Sequence, residues 1–299
     1  MGGRAIRLPM ETLAPAPPAL LPGLAAIASR YDALICDVWG VLHNGHKAHG
    51  PAVEALRRFR AARGPVVLLT NAPRPVEDVK AQFVHYGVPD DAYDAIMTSG
   101  VAAREDLARR AEGHRLAILH IGPERDRGVF DGLPLDSVDA DKAEIVLCTG
   151  LVDDDTETPE DYRDLLASLR ARDLPMLCAN PDIVVQKGAK LLYCAGALAK
   201  AYEAIGGRVI YYGKPYRPIY EAVKARLETI AGRPISRPLA VGDGLFTDIA
   251  GANAFGIDAL FIADGVHGEE LGDLSPASLA RLFARTGAKA VGAMPALAW

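Results

Sequence analysis

Long apolar runs are missing from this chain. No stretch reaches the roughly 18 uninterrupted apolar residues of a membrane-spanning helix. The run Ala14 to Leu21 is broken by Pro15, Pro17 and Pro18, which removes the helical core of a signal peptide. Cysteine is sparse: Cys36, Cys148, Cys178 and Cys194 show no C-x-x-C spacing, and three of them sit inside apolar runs. Reduced core thiols in a reducing compartment are therefore expected, in a cytoplasmic protein with a loose N-terminal lead-in. There is no surplus of positive charge, since 33 Lys and Arg stand against 38 Asp and Glu, a formal net charge of −5. Neither nucleic acid nor an anionic membrane is an expected partner, because both call for a positive field. No repeat of about 20 to 50 residues is visible, which excludes solenoids and propellers.

What is present is ordinary for a folded domain with a full-sized core: 50% hydrophobic and 24% charged residues. A length of 299 residues suggests two domains, or one large domain with an insertion. From Tyr31 onward, short apolar runs alternate with segments of helical period. Leu34-Ile35-Cys36 leads into Asp37, and Pro65 to Leu69 leads into Thr70. Between them Gly50-Pro51 opens a segment with Val53, Leu56 and Phe59 at helical spacing, and Gly64 closes it, which makes a βαβ unit. Further runs lie at 95–98, 116–121, 145–148, 176–178, 209–212, 239–241 and 259–262. Several lack polar alternation, as parallel strands covered on both faces do. The expected fold class is α/β, with a doubly wound parallel sheet.

Ligands of such sheets bind beyond the carboxyl ends of the strands. Polar residues follow the runs where this rule needs them: Asp37, then Thr70-Asn71, then Gly213-Lys214, then Gly242-Asp243 with Asp248 beyond. If these met in one crevice, Asp37, Asp243 and Asp248 would repel one another unless a cation kept them ionised. An all-oxygen set suits Mg²⁺, which is commonly completed by a substrate phosphate. Lys214 and the Thr70-Asn71 turn would face the phosphate oxygens, leaving Asp37 to attack phosphorus.

The segments LICDVWGVL (34–42), LLTNAP (68–73), YGKPYRPIY (212–220) and AVGDGLFTDIAGANAFG (240–256) resemble the four ordered motifs of the haloacid dehalogenase superfamily. More narrowly they are similar to its class IIA hydrolases, the sugar-phosphatase, nitrophenylphosphatase and pyridoxal-phosphatase-like group. The resemblance runs from Tyr31 to about Asp264 and implies a Rossmann-like core, residues 1–102 and 206–299, with an inserted α/β cap at 103–205. It implies a Mg²⁺-dependent phosphatase of a small phosphorylated metabolite working through an aspartyl-phosphate. Asp37 matches the nucleophile and a metal ligand, Lys214 the lysine that holds nucleophile and phosphate, and Thr70 with the Asn71 amide the phosphate-binding motif. Asp243 matches the direct metal ligand and Asp248 the residue supporting the metal shell. Asn180 and Asp182, in the segment CANPD, resemble the cap loop that reaches into the site, with Asp182 as the leaving-group contact. Relatives of this class often pair through the cap, which makes a homodimer an expectation.

One position departs from the pattern. Superfamily phosphatases usually carry a second aspartate two residues after the nucleophile, as proton donor and then base, and here Trp39 stands there. Its carbonyl can still serve the metal, but indole exchanges no proton at neutral pH. Loss of a positioned acid typically costs about 10²–10⁴ in rate. A slow or unusual hydrolase is the favoured reading, with His43 or His46 as a conceivable substitute acid. A non-catalytic phospholigand-binding or regulatory protein is the alternative.

Other residues carry two readings. Asp248 is either a site residue or the cap of a helix starting near Ile249. Arg74 is either a phosphate contact through its fork or a helix-start arginine. His43, His46 and His49 lack ligand-spaced partners for zinc, so at most one approaches the site. Trp39 itself is expected to wall and dry the site, and the acidic run Asp153-Asp154-Asp155 to be a solvated loop.

Overall fold

The computed structural model describes residues 17–187 and 190–299, so the lead-in as far as residue 16 lies outside the described residues. The strands, in chain order, are β1 (Ala33–Asp37), β2 (Val66–Thr70), β3 (Ala95–Thr98), β4 (Leu116–Ile121), β5 (Leu135–Ser137), β6 (Ile145–Cys148), β7 (Pro175–Cys178), β8 (Val184–Lys187), β9 (Lys190–Tyr193), β10 (Arg208–Tyr211), β11 (Pro238–Gly242), β12 (Asp258–Ile262) and β13 (Gly292–Met294). Every apolar run named from Leu34 onward falls on a strand. β5, β8, β9 and β13 add to them.

Two parallel sheets organise the chain. The larger has the order β13-β12-β11-β1-β2-β3, the smaller β10-β7-β6-β4-β5, and β8 with β9 forms a separate antiparallel ribbon. In the larger sheet alternate residues serve opposite faces, as the two-residue pleat requires. Ile35, Val67, Leu69, Ala240 and Phe261 join one apolar cluster, whereas Leu34, Cys36, Leu68, Val241 and Leu260 join the other. The helix Arg217–Ala231 covers the first face through Ile219, Tyr220, Val223 and Leu227. The helix Gly50–Ala62 covers the second through Val53, Leu56 and Phe59. Pro51 sits in its first turn, where a missing N–H costs nothing. The sheet is thus doubly wound, and the chain reverses its direction of travel between β1 and β11.

The smaller sheet is likewise covered on two faces. Val146, Cys148, Met176 and Cys178 pack against the helices Arg163–Ala171 and Ala195–Ala204. Its other face, through Ile118, Ile145, Leu147 and Leu177, belongs to the same apolar cluster as Ile35 and Leu69 of the larger sheet. This cluster runs through Ala102, Ala103 and Leu107 of the helix Ser99–Arg110. The run 209–212 was expected among the strands of one doubly wound sheet, yet β10 pairs with β7 of the smaller sheet. The boundary expected at residue 205 therefore falls before the last strand of that sheet. All four cysteines are buried and free. Among the described residues, no helix is long and apolar enough to cross a membrane.

Candidate active site

The carboxyl ends of β1 and β11 lie side by side, because Cys36 and Val241 are paired in register. Asp37 closes β1 and Asp243 follows β11. Asp248 comes from a short π-helical turn, Leu245–Ile249. One oxygen from each of these three buried carboxylates lies within 4.8 Å of the others. Lys214 enters from the end of β10. Its buried Nζ donates to Asp37 Oδ1 and, at 2.8 Å, to Asp248 Oδ1. Asp248 Oδ2 accepts from the Gly244 amide at 3.0 Å, and Asp243 Oδ2 accepts from the Val266 amide at 2.7 Å. Asp248 does not cap the helix that follows, whose N-terminus has no side-chain cap.

Glycines let the backbone close around Asp243. A Cβ on Gly265 would lie 1.9 Å from Asp243 Oδ2, and one on Gly40, whose φ is +80°, would lie 2.2 Å from the same atom. Neither position has room for a side chain.

The charges do not balance. Three carboxylates face one ammonium, and burial of an anion is costly unless a cation answers it. Burial raises Asp37 from 3.8 to about 7, with Lys214 opposing and Asp243 adding to the rise. Burial and Asp248 raise Asp243 to about 6, while burial and Asp37 raise Asp248 to about 6. For Lys214, burial favours the neutral amine, but Asp248 and Asp37 outweigh it and hold the ammonium well above its ordinary range. A compact, buried, all-oxygen set with surplus negative charge fits a hard divalent cation.

The residues expected around a phosphate are distributed unevenly. Thr70 ends β2, and its Oγ1 accepts from the Ala72 amide at 3.3 Å. Asn71 is buried and braces three segments. Its Oδ1 accepts from the Lys214 amide at 2.7 Å, while its Nδ2 donates to the Lys214 carbonyl at 3.1 Å and to Asp182 Oδ1 at 2.9 Å. Asn180 and Asp182 follow β7, and Asn180 Oδ1 accepts from the Asp182 amide at 3.1 Å, fixing the loop. The carboxyl edge of the smaller sheet therefore meets the crevice of the larger one. Arg74 is placed by a carboxylate from the smaller sheet. It pairs at 3.7 Å with Asp126, a carboxyl that burial lifts to about 6 against Arg74 and Arg125.

Trp39 is 51% exposed, and its ring meets His43 edge-on with centroids 5.5 Å apart. A half-exposed indole is a poor wall against water. His43 is packed among Trp39, Phe83 and Tyr86, and its Nδ1 accepts from the Gly45 amide at 3.0 Å. Burial, then His49, lowers it to about 4, so it stands as the neutral imidazole, a poor acid, at neutral pH. In the acidic run, Asp153 accepts from the Asp155 amide and the Thr156 hydroxyl, and Asp154 pairs with Arg125.

Sequence reasoning missed the side chain of Asn71, the Val266 and Gly244 amides, and the tight glycines. Only Asn71 left a trace, as an amide directly after an apolar run.

Comparison with known proteins settles the family. A haloacid dehalogenase-like hydrolase family model matches residues 34–134, and a second HAD-hydrolase-like model matches 211–284. A haloacid dehalogenase-like hydrolase structure from Brucella suis 1330 is 46% identical, with a TM-score of 0.79, over 93% of this chain and all (100%) of that one. The chain belongs to the haloacid dehalogenase-like hydrolases. Among curated relatives of this HAD family, the ribonucleotide monophosphatase NagD of Escherichia coli K12 is 27% identical over 78% of this chain and 88% of its own length. The glycerol phosphate phosphatase of Mycobacterium tuberculosis, solved in complex with magnesium, is 26% identical with a TM-score of 0.61, over 80% of this chain and 70% of that one. The Asp37–Lys214–Asp243–Asp248 cluster stands at the switch point of the larger sheet.

Proposed function

We propose that the chain is a Mg²⁺-dependent phosphatase of a small phosphorylated metabolite, with Asp37 as the nucleophile. The observation that carries this reading is the buried cluster in which Lys214 bridges Asp37 and Asp248 while Asp243 stands beside them. Asp37, Asp243 and Asp248, with the Trp39 carbonyl, would hold the divalent cation. When bound, that cation neutralises the carboxylates and the phosphoryl oxygens. Lys214 keeps Asp37 ionised and aimed, and faces the incoming phosphate as a second positive charge. The Thr70 hydroxyl and the Asn71 amide orient the phosphate oxygens. An Asp37 oxygen attacks phosphorus, forming an aspartyl-phosphate that water later cleaves.

The segment 103–205, extended to include β10, acts as a cap in this reading. Asn180 and Asp182 bring its edge to the leaving group, and Asn71 couples that edge to Lys214. The NagD and glycerol phosphate phosphatase names support a phosphorylated small molecule as substrate. The four free thiols suit a reducing, cytoplasmic setting, and pairing of two copies through the cap belongs to the same proposal.

With Mg²⁺ and a panel of phosphate esters, the purified protein should release inorganic phosphate, and Asp37→Asn should abolish it. Release no greater than that of the Asp37→Asn variant from any ester would refute the reading. Trp39 favours one second reading, a binding protein that holds a phosphate ester without cleaving it. Such a protein would melt higher with ester and Mg²⁺ while the ester stayed intact.

A further inference from the structure

Breaking an alkyl phosphate ester leaves an alkoxide, which needs a proton as the bond to phosphorus breaks. The described residues around the crevice offer few donors. Asp37, Asp248 and Lys214 are engaged with one another, and Asp243 is held by Val266 and the cation site. His43 is neutral and its Nδ1 is taken. The Nε2 of His267 accepts from the Leu245 amide at 3.2 Å, and its Nδ1 faces Glu270. Trp39 exchanges no proton.

We infer that Asp182 is the proton donor of this enzyme, taking over from the carboxyl that position 39 lacks. The inference rests on the hydrolase reading above. Asp182 stands beyond β7 at the carboxyl edge of the smaller sheet, beside Asn71 and within the field of Lys214. Asn71 Nδ2 fixes its Oδ1, and the same Asn71 fixes Lys214, which in turn contacts Asp37. Oδ2 makes no hydrogen bond among the described residues, and the residue is partly exposed, so this oxygen can meet a leaving group. Burial raises the Asp182 carboxyl above the ordinary range, with Asn71 and Lys214 opposing only in part, which favours the protonated form a donor needs. The titratable groups facing it are Lys214, Cys178 and Cys194.

The steps balance. An Asp37 oxygen bonds to phosphorus and the phosphorus–ester oxygen bond breaks, its electron pair staying on the ester oxygen. That oxygen takes the Asp182 proton and leaves as the alcohol. A water oxygen then attacks the aspartyl-phosphate, its proton passes to the Asp182 carboxylate, and the Asp37 carboxylate and inorganic phosphate are released.

The test compares 4-nitrophenyl phosphate, whose leaving group needs no proton, with the alkyl phosphate the wild type cleaves fastest. Asp182→Asn keeps the acceptor for Asn71 and should lower kcat on the alkyl ester by about 10²–10⁴-fold. With 4-nitrophenyl phosphate it should keep a burst of about one nitrophenolate per site, then turn over slowly for want of the base. Asp182→Glu should recover part of the alkyl-ester rate. The alkaline fall of kcat/KM for the alkyl ester should vanish in Asp182→Asn. A variant unchanged on both esters, or one that loses the burst and the alkyl rate together while still melting higher with Mg²⁺, overturns the assignment. So does a wild type that cleaves only the nitrophenyl ester. A wild type that cleaves neither ester overturns the hydrolase reading itself, which an active wild type with a normal Asp182→Asn does not.

Discussion

Asp37, Asp243 and Asp248 carry a cost until a cation arrives, and the cost has a pH signature. Their folded values of about 7, 6 and 6 lie above the ordinary 3.8, so between those limits the folded chain holds more protons than the unfolded one. Stability of the metal-free protein therefore falls as pH rises from about 4 towards 7. Lys214, held well above its ordinary range, stays charged throughout that window and does not reverse the sign. A divalent cation held by the ionised carboxylates would compete with protons. Calorimetry should find a larger rise in Tm from Mg²⁺ at pH 8 than at pH 5, and an equal rise at both would contradict the cluster as the cation site. At this scale the sequence was legible in one respect: Asp37, Lys214 and Asp243, each read as following an apolar run, do come together in one buried cluster. It was not legible where geometry decides. The pairing of Arg74 with Asp126 depended on a turn from the smaller sheet, 52 residues away, that no local pattern announces. The bracing by Asn71 depended equally on two distant segments.

At the scale of elements, the loops after β1, β11 and β12 converge because the paired strands end together, and glycines let them touch. The Asp243 side chain has backbone on two sides, at Gly40 and Gly265. Gly265→Ala must push that carboxylate away, and disturbing what orients a ligand typically costs about 10–100-fold in metal affinity. A Mg²⁺ titration of Gly265→Ala should give at least a roughly tenfold weaker dissociation constant with the fold retained. Unchanged affinity would show that Asp243 is not held there for a cation. Buried parallel strands announce themselves as apolar runs, which is why β1 to β4, β6, β7 and β10 to β12 were readable. β5 and β13 are each only three residues long. β8 and β9 pair only with each other, and Val184, Val185, Leu191 and Tyr193 are exposed, so their apolar character resembled a loop beside the helix that follows. The run 209–212 was correctly read as a strand but placed in the wrong sheet. Two parallel sheets in one chain have the same local pattern, and pairing alone distinguishes them.

Across the whole molecule, two parallel sheets meet edge to crevice, and the groups proposed to act in catalysis come from both. Asp37, Asp243 and Asp248 belong to the larger sheet, Lys214 arrives directly from the smaller one, and Asp182 hangs from its edge. A shared apolar cluster joins the two through the helix Ser99–Arg110. The alternation of apolar runs with helical segments made the α/β class legible, since it follows from burial of parallel strands on two faces. Where the sheets touch was not legible, because contacts such as Asn71–Asp182 join residues 111 apart. The proposed reaction passes through a covalent phosphoryl group on Asp37. Protein quenched during turnover of a phosphate ester, reduced with borohydride and sequenced by mass spectrometry should carry homoserine at position 37, the product of reducing an aspartyl-phosphate. An enzyme that turns over while position 37 remains aspartate, or that carries the reduced residue elsewhere, would contradict it.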